Sequence, residues 1–166
     1  MAANDSAQSA NEQQLSGETV HLVCFRLGAE EYGLDIGQVQ EINRMMPITR
    51  VPRAPSFMKG VVNLRGQLIP IIDLRERFGM ATVEPTKATR IVVVEVGHNR
   101  VGLIVDGVSE VMKIPVERID PAPEMLSEAQ AGYVKGVGKS GDRLIVLLEA
   151  AAVIAGSSEA GAPQAS

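Results

Sequence analysis

A chain of 166 residues, of which 45% are hydrophobic, is long enough to bury one ordinary core, and this composition excludes disorder throughout. A net charge of −4, with only three Phe, two Tyr and no Trp, argues against a nucleic-acid surface, which needs clustered cations and aromatic rings. A single cysteine excludes an internal disulfide. The start of the chain lacks a secretion leader, and no apolar run could cross a bilayer, so we expect a soluble, cytoplasmic protein.

The first predicted element is a β-hairpin that follows a polar stretch. Residues 1–18 are rich in Ala, Ser, Asn and Gln and lack periodic apolar residues, which predicts a disordered tail. Residues 20–27 and 32–36 carry β-favouring side chains on either side of a turn that begins at Gly28. The folded part of the chain is therefore expected to begin near the start of this hairpin.

A second hairpin lies in the middle of the first half. Residues 61–64 and 68–74 are rich in Val, Leu and Ile and flank a tight turn, where Gly66 can adopt a positive φ. The second run is apolar on both faces, which predicts a strand that is buried on both. Pro70 cannot donate a sheet hydrogen bond, so it indicates an edge, a bulge or a barrel corner. Asp73 then caps a predicted short helix.

The second half of the chain repeats the first. Residues 91–105 match the first hairpin after a shift of 69 positions, and residues 133–148 match the second after a shift of 76. The shift rises from 68 to 76 across an insertion at residues 124–131, which predicts an exposed loop or a short helix. Residues 156–166 are polar and predict a second disordered tail. Matching positions include Gly28 with Gly97, Gly33 with Gly102, Glu41 with Glu110, and Lys59-Gly60-Val61 with Lys135-Gly136-Val137.

This duplication predicts the fold class. Each copy holds about five short strands at a spacing typical of small closed barrels, followed by a short helix. We therefore predict an all-β protein with two pseudo-symmetric five-stranded barrels packed together in a single domain over residues 19–155. The first copy spans about 20–80 and the second about 90–155, and either would be marginal alone. The pattern does not decide which strands close which barrel, and an exchange of strands between the copies is compatible with it.

No constellation of residues typical of catalysis or metal binding is present in the sequence. His21 lies in a strand and His98 in a turn, at spacings that suit neither a metal site nor a catalytic triad. Cys24 lies in an alternating strand without a motif partner, which favours a buried thiol over a nucleophile. We therefore predict no enzyme activity, no cofactor and no metal. A small barrel that binds nucleic acid is the alternative function.

A series of apolar residues at every third position is harder to assign. Ile36, Val39 and Ile42 recur among polar neighbours, and the second copy repeats the arrangement at Val105, Val108 and Val111. They could plug the ends of the barrels, or they could form an apolar stripe for a partner protein.

Arg65 presents a similar choice at the tip of the second hairpin. A tip arginine is by default solvated and contributes little to folding, but a fixed guanidinium is also a common anchor at interfaces. Glu41 is the nearest candidate to pair with it.

Several separated motifs, in order, resemble the CheW family of chemotaxis coupling proteins. They are residues 25–41 (FRLGAEEYGLDIGQVQE), 48–55 (ITRVPRAP), 63–66 (NLRG) and 101–108 (VGLIVDGV), and the likeness covers about residues 20–154. The resemblance implies two SH3-like barrels without catalytic activity. It also implies an adaptor that joins methyl-accepting chemoreceptors to the histidine kinase CheA, in the cytoplasm at membrane-associated receptor arrays.

The resemblance also implies which residues bind each partner. On the kinase side it implies weaker candidates, Gly60 and Val61, which would hold the first barrel in a binding-competent shape. Receptor tips in such systems are helical hairpins, so an aliphatic groove between the barrels would suit them. The residues implied for the receptor are Ile36, Val39, Glu41, Arg65, Gly102, Val108 and Val111.

Overall fold

The computed structural model describes residues 18–122 and 132–155. The predicted insertion at 124–131 and the predicted tails, apart from Glu18, lie outside the described residues. The strands are β1 (Thr19–Leu27), β2 (Glu30–Asp35), β3 (Val39–Arg44), β4 (Met58–Leu64), β5 (Gln67–Asp73), β6 (Arg90–Val96), β7 (Asn99–Val105), β8 (Gly107–Pro115), β9 (Ile119–Asp120), β10 (Val134–Ser140) and β11 (Arg143–Leu148). Two short α-helices, α1 (Leu74–Arg77) and α2 (Ala150–Val153), and two 3-10 turns, Ile36–Gln38 and Val116–Arg118, complete the described elements.

The strands form two sheets, and each sheet takes strands from both halves of the chain. A five-stranded sheet in the order β3-β6-β7-β5-β4, here called barrel 1, combines three strands of the first half with the hairpin β6-β7. A six-stranded sheet in the order β8-β1-β2-β11-β10-β9, here called barrel 2, receives the hairpin β1-β2. The prediction of an all-β protein with two barrels is confirmed, and barrel 2 has a sixth strand of only two residues.

The internal repeat is visible in the strand register. β5 pairs in parallel with β7, with Ile71 opposite Gly102, and β11 pairs in parallel with β2, with Leu147 opposite Gly33. Bulges also recur: the register slips between Met58 and Gly60 in barrel 1 and between Val134 and Gly136 in barrel 2. Because both the pairing and the irregularities repeat, the two barrels are related by a pseudo-twofold axis.

Three apolar clusters make up the core, one inside each barrel and a larger one shared between them. Barrel 2 encloses residues such as Leu22 and Ile114, and barrel 1 encloses residues such as Ile71 and Ile91. The shared cluster joins both sheets and both helices, and its buried members are Phe25, Leu27, Tyr32, Leu34, Ile72, Leu74, Phe78, Val92, Val94, Val101, Leu103, Val105, Val134, Leu148, Ala150, Val153 and Ile154. The two barrels therefore share a buried apolar interface in addition to their own interiors.

Strand β5 follows the prediction only in part. Ile69, Ile71 and Ile72 are buried, but the Leu68 side chain is 68% exposed, so the prediction of burial on both faces is wrong at this position. Pro70 lies opposite Val61 of β4, whereas pairing with β7 begins one residue later. The first part of β5 is therefore open on one side, which is why a proline without an N–H is tolerated there and why the neighbouring leucine reaches solvent.

Candidate partner-binding site

The chain crosses between the two barrels twice in the middle of the molecule. It passes from barrel 2 to barrel 1 through the 3-10 turn Ile36–Gln38, here called the first crossing, which contacts both β1 and β6. The carboxylate of Asp35 fixes this turn by accepting a hydrogen bond from the Gly37 N–H at 2.8 Å. The chain returns from β7 to β8 at Asp106, here called the second crossing. Since Asp106 is 69 positions after Gly37, the pseudo-twofold axis relates the two crossings.

The first crossing carries an exposed aliphatic surface. The Ile36 side chain is 41% exposed, and Val39, at the start of β3, is half-buried against the shared core. Val111 is 57% exposed and lies level with Leu34, since both pair with Val23 of β1. Two strand spacings, about 10 Å, separate β8 from β2 in the same sheet, so Val111 lies about that far from the end of β2. We call Ile36, Val39 and Val111 the apolar stripe.

Val108 is placed differently from the stripe. Val108 pairs with Phe25 of β1, and Phe25 pairs with Tyr32 of β2. Val108 is therefore level with Tyr32, which lies about four residues before Ile36 in the chain. Its side chain packs against the shared core and is only partly exposed. The structure therefore supports both readings of the period-three residues: Val39 and Val108 contribute to the core, whereas Ile36 and Val111 face solvent.

The second crossing, the symmetric counterpart of the first, exposes less of its aliphatic surface, although Ile42, which corresponds to Val111 and lies level with Leu103, is 40% exposed. Val105, which corresponds to Ile36, is fully buried. The adjacent carboxylate of Asp106 accepts hydrogen bonds from the Gly28 N–H at 2.7 Å and from Arg75 Nε and Nη2 at 3.0 and 2.7 Å. The hydrogen bonds from Arg75 hold the pKa of Asp106 below its ordinary value. This network, here called the Asp106 clasp, leaves the first crossing as the more accessible side of the seam.

An ion pair lies beside the apolar stripe at the mouth of barrel 1. Arg65 donates a hydrogen bond to Glu41, so the predicted pairing of these residues is confirmed. This interaction lowers the pKa of Glu41 and keeps it charged. Arg65 adopts a positive φ of 52° in the hairpin turn, and its guanidinium is exposed above a depression of about 210 Å³.

Gly102 is not on the surface. It is buried in β7, and a Cβ there would approach Ile71 Cδ1 to 2.6 Å and Ile91 Cγ2 to 2.7 Å. Its neighbours belong to the interior of barrel 1. A partner cannot contact Gly102 directly, so any effect of this residue on binding acts through the shape of barrel 1.

Gly60 and Val61 lie in β4, beside the segment that follows β3. Gly60 has a φ of +144°, and a Cβ there would collide with the carbonyl of Thr49. Val61 exchanges two backbone hydrogen bonds with Thr49, at 2.8 and 2.9 Å. These two positions fix how residues near Thr49 cover the edge of the barrel.

The candidate reactive groups do not assemble into a site. Cys24 is buried in β1, and desolvation raises the pKa of its thiol to about 11, so a thiolate is disfavoured at neutral pH. Over residues 18–122 and 132–155, no group of three or more His, Cys, Asp or Glu side chains is arranged to hold a metal ion.

Sequence reasoning missed the Asp106 clasp. A signal was available, because Asp106 aligns with Gly37 and Arg75 aligns with Ala151, so both charged partners occur in one copy only. A charge that departs from an internal repeat marks a place where the two copies differ in role. The carboxylate of Asp106 also needs the turn at Gly28, which is 78 residues away, and no local pattern indicates that contact.

Comparison with known proteins assigns the family. A model of the CheW-like domain matches residues 21–158, which is most of the chain. The chain belongs to the CheW-like domain family. Its curated relatives include the chemotaxis protein CheW of Klebsiella aerogenes, 43% identical over 84% of this chain and 86% of that protein. CheW of Helicobacter pylori is 36% identical over 86% of both chains, and FrzA of Myxococcus xanthus is 32% identical over 80% of this chain and 78% of that protein.

A solved structure supports the same assignment. The scaffolding protein TtCheW of Thermoanaerobacter tengcongensis is 39% identical, with a TM-score of 0.74 over 80% of this chain and 90% of that chain. The CheW-like family, its curated relatives and this scaffold identify the chain as a chemotaxis coupling adaptor. The matches give no support to the nucleic-acid alternative. In the part of the chain that the structure describes, no helix is both long and apolar enough to traverse a lipid bilayer.

Proposed function

We propose that this CheW-like protein is a non-enzymatic adaptor that joins the cytoplasmic tips of methyl-accepting chemoreceptors to the histidine kinase CheA, at membrane-associated arrays. The observation that carries the proposal is the aliphatic surface at the first crossing, which is more exposed than its symmetric counterpart, where Val105 is buried beside the Asp106 clasp. A protein that only needed to pack its two barrels would have no reason to leave Ile36 and Val111 in solvent on one side.

The receptor side of the proposal uses the apolar stripe and the ion pair beside it. An amphipathic helix presents anchors at positions i, i+3, i+4 and i+7, which suit an aliphatic surface formed by Ile36, Val39 and Val111. Glu41 holds Arg65 at the tip of the β4-β5 hairpin, where the guanidinium can exchange a carboxylate of its own chain for one on the receptor. Gly102 and Val108 support this surface from inside, by setting the shape of barrel 1 and of the shared core.

The kinase side of the proposal uses strand β4 of barrel 1 and the segment around Thr49. Gly60 and Val61 keep the strand edge and the segment around Thr49 in register. Two contact surfaces on different faces allow one adaptor to hold both partners at once, and weak single contacts are then reinforced by assembly.

The receptor contact is tested with variants on the stripe and a matched control. Val111→Asp places a charge where an aliphatic anchor should be desolvated, so we expect the affinity for a purified receptor signalling tip to fall at least about tenfold. Arg65→Ala should weaken the same binding by a similar factor. Leu144→Asp is the control, because Leu144 is a 61% exposed aliphatic residue of barrel 2 outside the stripe. Isothermal titration calorimetry measures each affinity.

Since the variants change exposed side chains, their melting temperatures should lie within about 2 °C of the wild type. Equal losses of receptor binding in Val111→Asp and Leu144→Asp would contradict a specific role for the stripe. A wild-type chain that binds neither a receptor tip nor CheA would end the adaptor proposal.

A further inference from the structure

The mouth of each barrel, the end at which its hairpin turns lie, differs between the two copies. In barrel 2 the parallel pairing of β2 with β11 begins at Glu31. The equivalent residue of β7 in barrel 1 is Arg100, but there the pairing with β5 begins only at Gly102. The strands of barrel 1 therefore separate two residues further from their turns. Two depressions of about 210 and 460 Å³ lie at this place, and Gln67 and Arg100 line both.

An ion-pair network holds the mouth of barrel 2 together. Arg143 of β11 donates hydrogen bonds to both carboxylate oxygens of Glu31, at 3.0 and 2.7 Å, and a further one to Glu110 of β8. The hydrogen bonds from Arg143 lower the pKa of Glu31 and keep it charged. One guanidinium therefore ties three strands of barrel 2 to one another.

The equivalent positions of barrel 1 carry different charges. Arg100 takes the place of Glu31. Gln67 takes the place of Arg143, and its Oε1 accepts a hydrogen bond from Arg100 Nη1 at 2.6 Å. The Arg100 guanidinium lies 3.8 Å from the carboxylate of Glu95, which is beyond hydrogen-bond distance. Because a neutral amide is a weaker acceptor for a guanidinium than a carboxylate is, Arg100 lacks the strong partner that Arg143 has.

Arg65 is a second departure from the repeat at the same mouth. Its counterpart in barrel 2 is Gly141, and both residues have a positive φ, of 52° and 60°. Glycine adopts this conformation readily, whereas an arginine there is strained. Arg65 and Arg100 both line the depression of about 210 Å³, together with Glu41. Two exposed guanidinium groups therefore face one depression, in a conformation that the fold of barrel 2 does not need.

Glu41 has further donors near it besides Arg65. The hydrogen bond from Arg65 is the main cause of its lowered pKa, and Asn43 and Arg100 lower it as well. The amide Nδ2 of Asn43 is buried and has no hydrogen-bond partner in the part of the chain that the structure describes. An unpaired buried donor is costly, so Asn43 gains if Glu41 turns toward it. A guanidinium at this mouth can therefore turn to a partner without leaving Glu41 uncompensated.

We propose that Arg100 is a second cation of the receptor contact and binds a carboxylate of the receptor tip, an inference that rests on the adaptor function proposed above. The contact extends from Arg65 across the depression to Arg100. The receptor carboxylate supplies at this open mouth the charge that Glu31 supplies within barrel 2. Leu68, which is exposed and lines the larger depression with Arg100, offers an aliphatic contact beside that carboxylate.

Removal of the charge at Arg100 tests this inference. The full-length chain is titrated in a calorimeter with a receptor signalling tip and, separately, with full-length CheA. Arg100→Gln keeps a polar side chain but loses the charge, so it should weaken receptor binding at least about fivefold. Its affinity for CheA should stay within about twofold of the wild type. Arg118→Gln, the same change at an exposed arginine of barrel 2, is the control and should leave receptor binding within about twofold.

A charge exchange copies the arrangement of barrel 2 into barrel 1. The double variant Gln67→Arg/Arg100→Glu places a cation on β5 and a carboxylate on β7, as Arg143 and Glu31 do on β11 and β2. Because the new pair is satisfied within the chain, the melting temperature should equal or exceed that of the wild type. Receptor affinity should nevertheless fall at least about tenfold, because the new carboxylate repels the one on the receptor. Circular dichroism measures the melting temperature.

A double-mutant cycle identifies the carboxylate on the receptor. Each exposed Asp or Glu of the receptor tip is changed singly to Asn or Gln, and each variant tip is titrated with the wild-type chain and with Arg100→Gln. One of these changes should weaken binding to the wild type but have little further effect on binding to Arg100→Gln. A set of tip variants in which every loss is the same for both chains would contradict a direct contact.

Several other outcomes would overturn the inference. If Arg100→Gln binds the receptor tip as the wild type does, Arg100 is not part of the contact, while a loss in Val111→Asp would leave the adaptor function standing. Equal losses in Arg100→Gln and Arg118→Gln would show an effect of overall charge. A double variant that melts well below the wild type would show that the open mouth is required for folding rather than kept for a ligand. A wild-type chain that binds no receptor tip would end both proposals.

Discussion

Gly33 and Gly102 occupy equivalent buried positions, but the space around them differs. A Cβ at Gly102 would lie 2.6 Å from Ile71 Cδ1 and 2.7 Å from Ile91 Cγ2. A Cβ at Gly33 would lie 3.1 Å from both Ile145 Cγ2 and Leu22 Cδ1. The methyl group of a β-branched side chain such as Ile91 moves only with a change of χ1, which a packed core resists. Barrel 1 therefore tolerates an added Cβ at its buried glycine less well than barrel 2 does.

The substitution Gly102→Ala should destabilise the protein by about 1–3 kcal/mol, because it overpacks the interior of barrel 1. Gly33→Ala, the matched control in barrel 2, should cost less than about 1 kcal/mol, since its neighbours need to move only a few tenths of an ångström. Urea unfolding of both variants measures the difference. Equal costs at the two glycines would contradict the packing argument.

At the scale of single residues, the sequence predicts what a local pattern can specify. The pairing of Glu41 with Arg65 followed from a charge at a hairpin tip, and Asp73 followed from a capping pattern that the structure reproduces. Burial of Gly102 did not follow, because which neighbours enclose a glycine depends on strands from both halves of the chain.

At the scale of elements, the Asp106 clasp joins parts of the chain that are far apart in sequence. One carboxylate holds the β1-β2 turn through Gly28 and the start of α1 through Arg75, whose Nη1 also donates to the Ala81 carbonyl at 2.9 Å. Hydrogen bonds to charged groups with such limited exposure are among the stronger polar contacts in a protein. The clasp therefore fixes the chain at the second crossing to the β1-β2 turn and to α1.

The clasp predicts an acid dependence of stability. Because the pKa of Asp106 is lowered in the fold, its contribution is fully present above the unfolded pKa of about 3.9 and is lost as the pH falls through the folded pKa. Asp106→Asn should lower the free energy of unfolding by about 1–3 kcal/mol at pH 7, and its difference from the wild type should shrink toward about pH 3. Urea unfolding across this pH range measures it.

The control for the clasp is Asp142→Asn, which changes an exposed turn residue. It should show no comparable gap at pH 7. Asp73 acts with the opposite sign, because burial raises its pKa, so its contribution is present at low pH and is lost as the pH rises through the folded pKa. A gap between Asp106→Asn and the wild type that stays constant down to about pH 3 would contradict a charged clasp.

Element prediction was limited where strands are irregular. The hairpins at residues 20–36 and 91–105 were predicted because turns and β-rich runs alternate cleanly. Strand β3 was not assigned, because a 3-10 turn precedes it and a bulge between Val39 and Glu41 breaks the period of two. The same bulge recurs in β8, between the partners of Cys24 and Phe25. The spacing of the apolar residues at every third position therefore results from the bulges in β3 and β8.

At the scale of the whole molecule, the two halves of the chain depend on each other. Barrel 1 needs the hairpin β6-β7, and barrel 2 needs the hairpin β1-β2. Duplication was readable from sequence, but the placement of these hairpins was not. Because the copies are alike, β1-β2 would present similar edges to either barrel, and only long-range packing decides between the two arrangements.

Separation of the halves tests this dependence. A fragment of residues 1–88 keeps β3, β4 and β5 but loses the strands that cover Ile71 and Val39, and a fragment of residues 89–166 loses the partners of β8 and β11. Each fragment is also short for an independent core. We therefore expect neither to give dispersed amide signals in NMR spectra when alone. An equimolar mixture should regain the dispersion of the intact chain and elute as a one-to-one complex.

A fragment that unfolds cooperatively as a monomer would show that one barrel is self-sufficient. A folded homodimer of residues 1–88 would show that the two hairpins are interchangeable, and that the Asp106 clasp is not needed to choose between them.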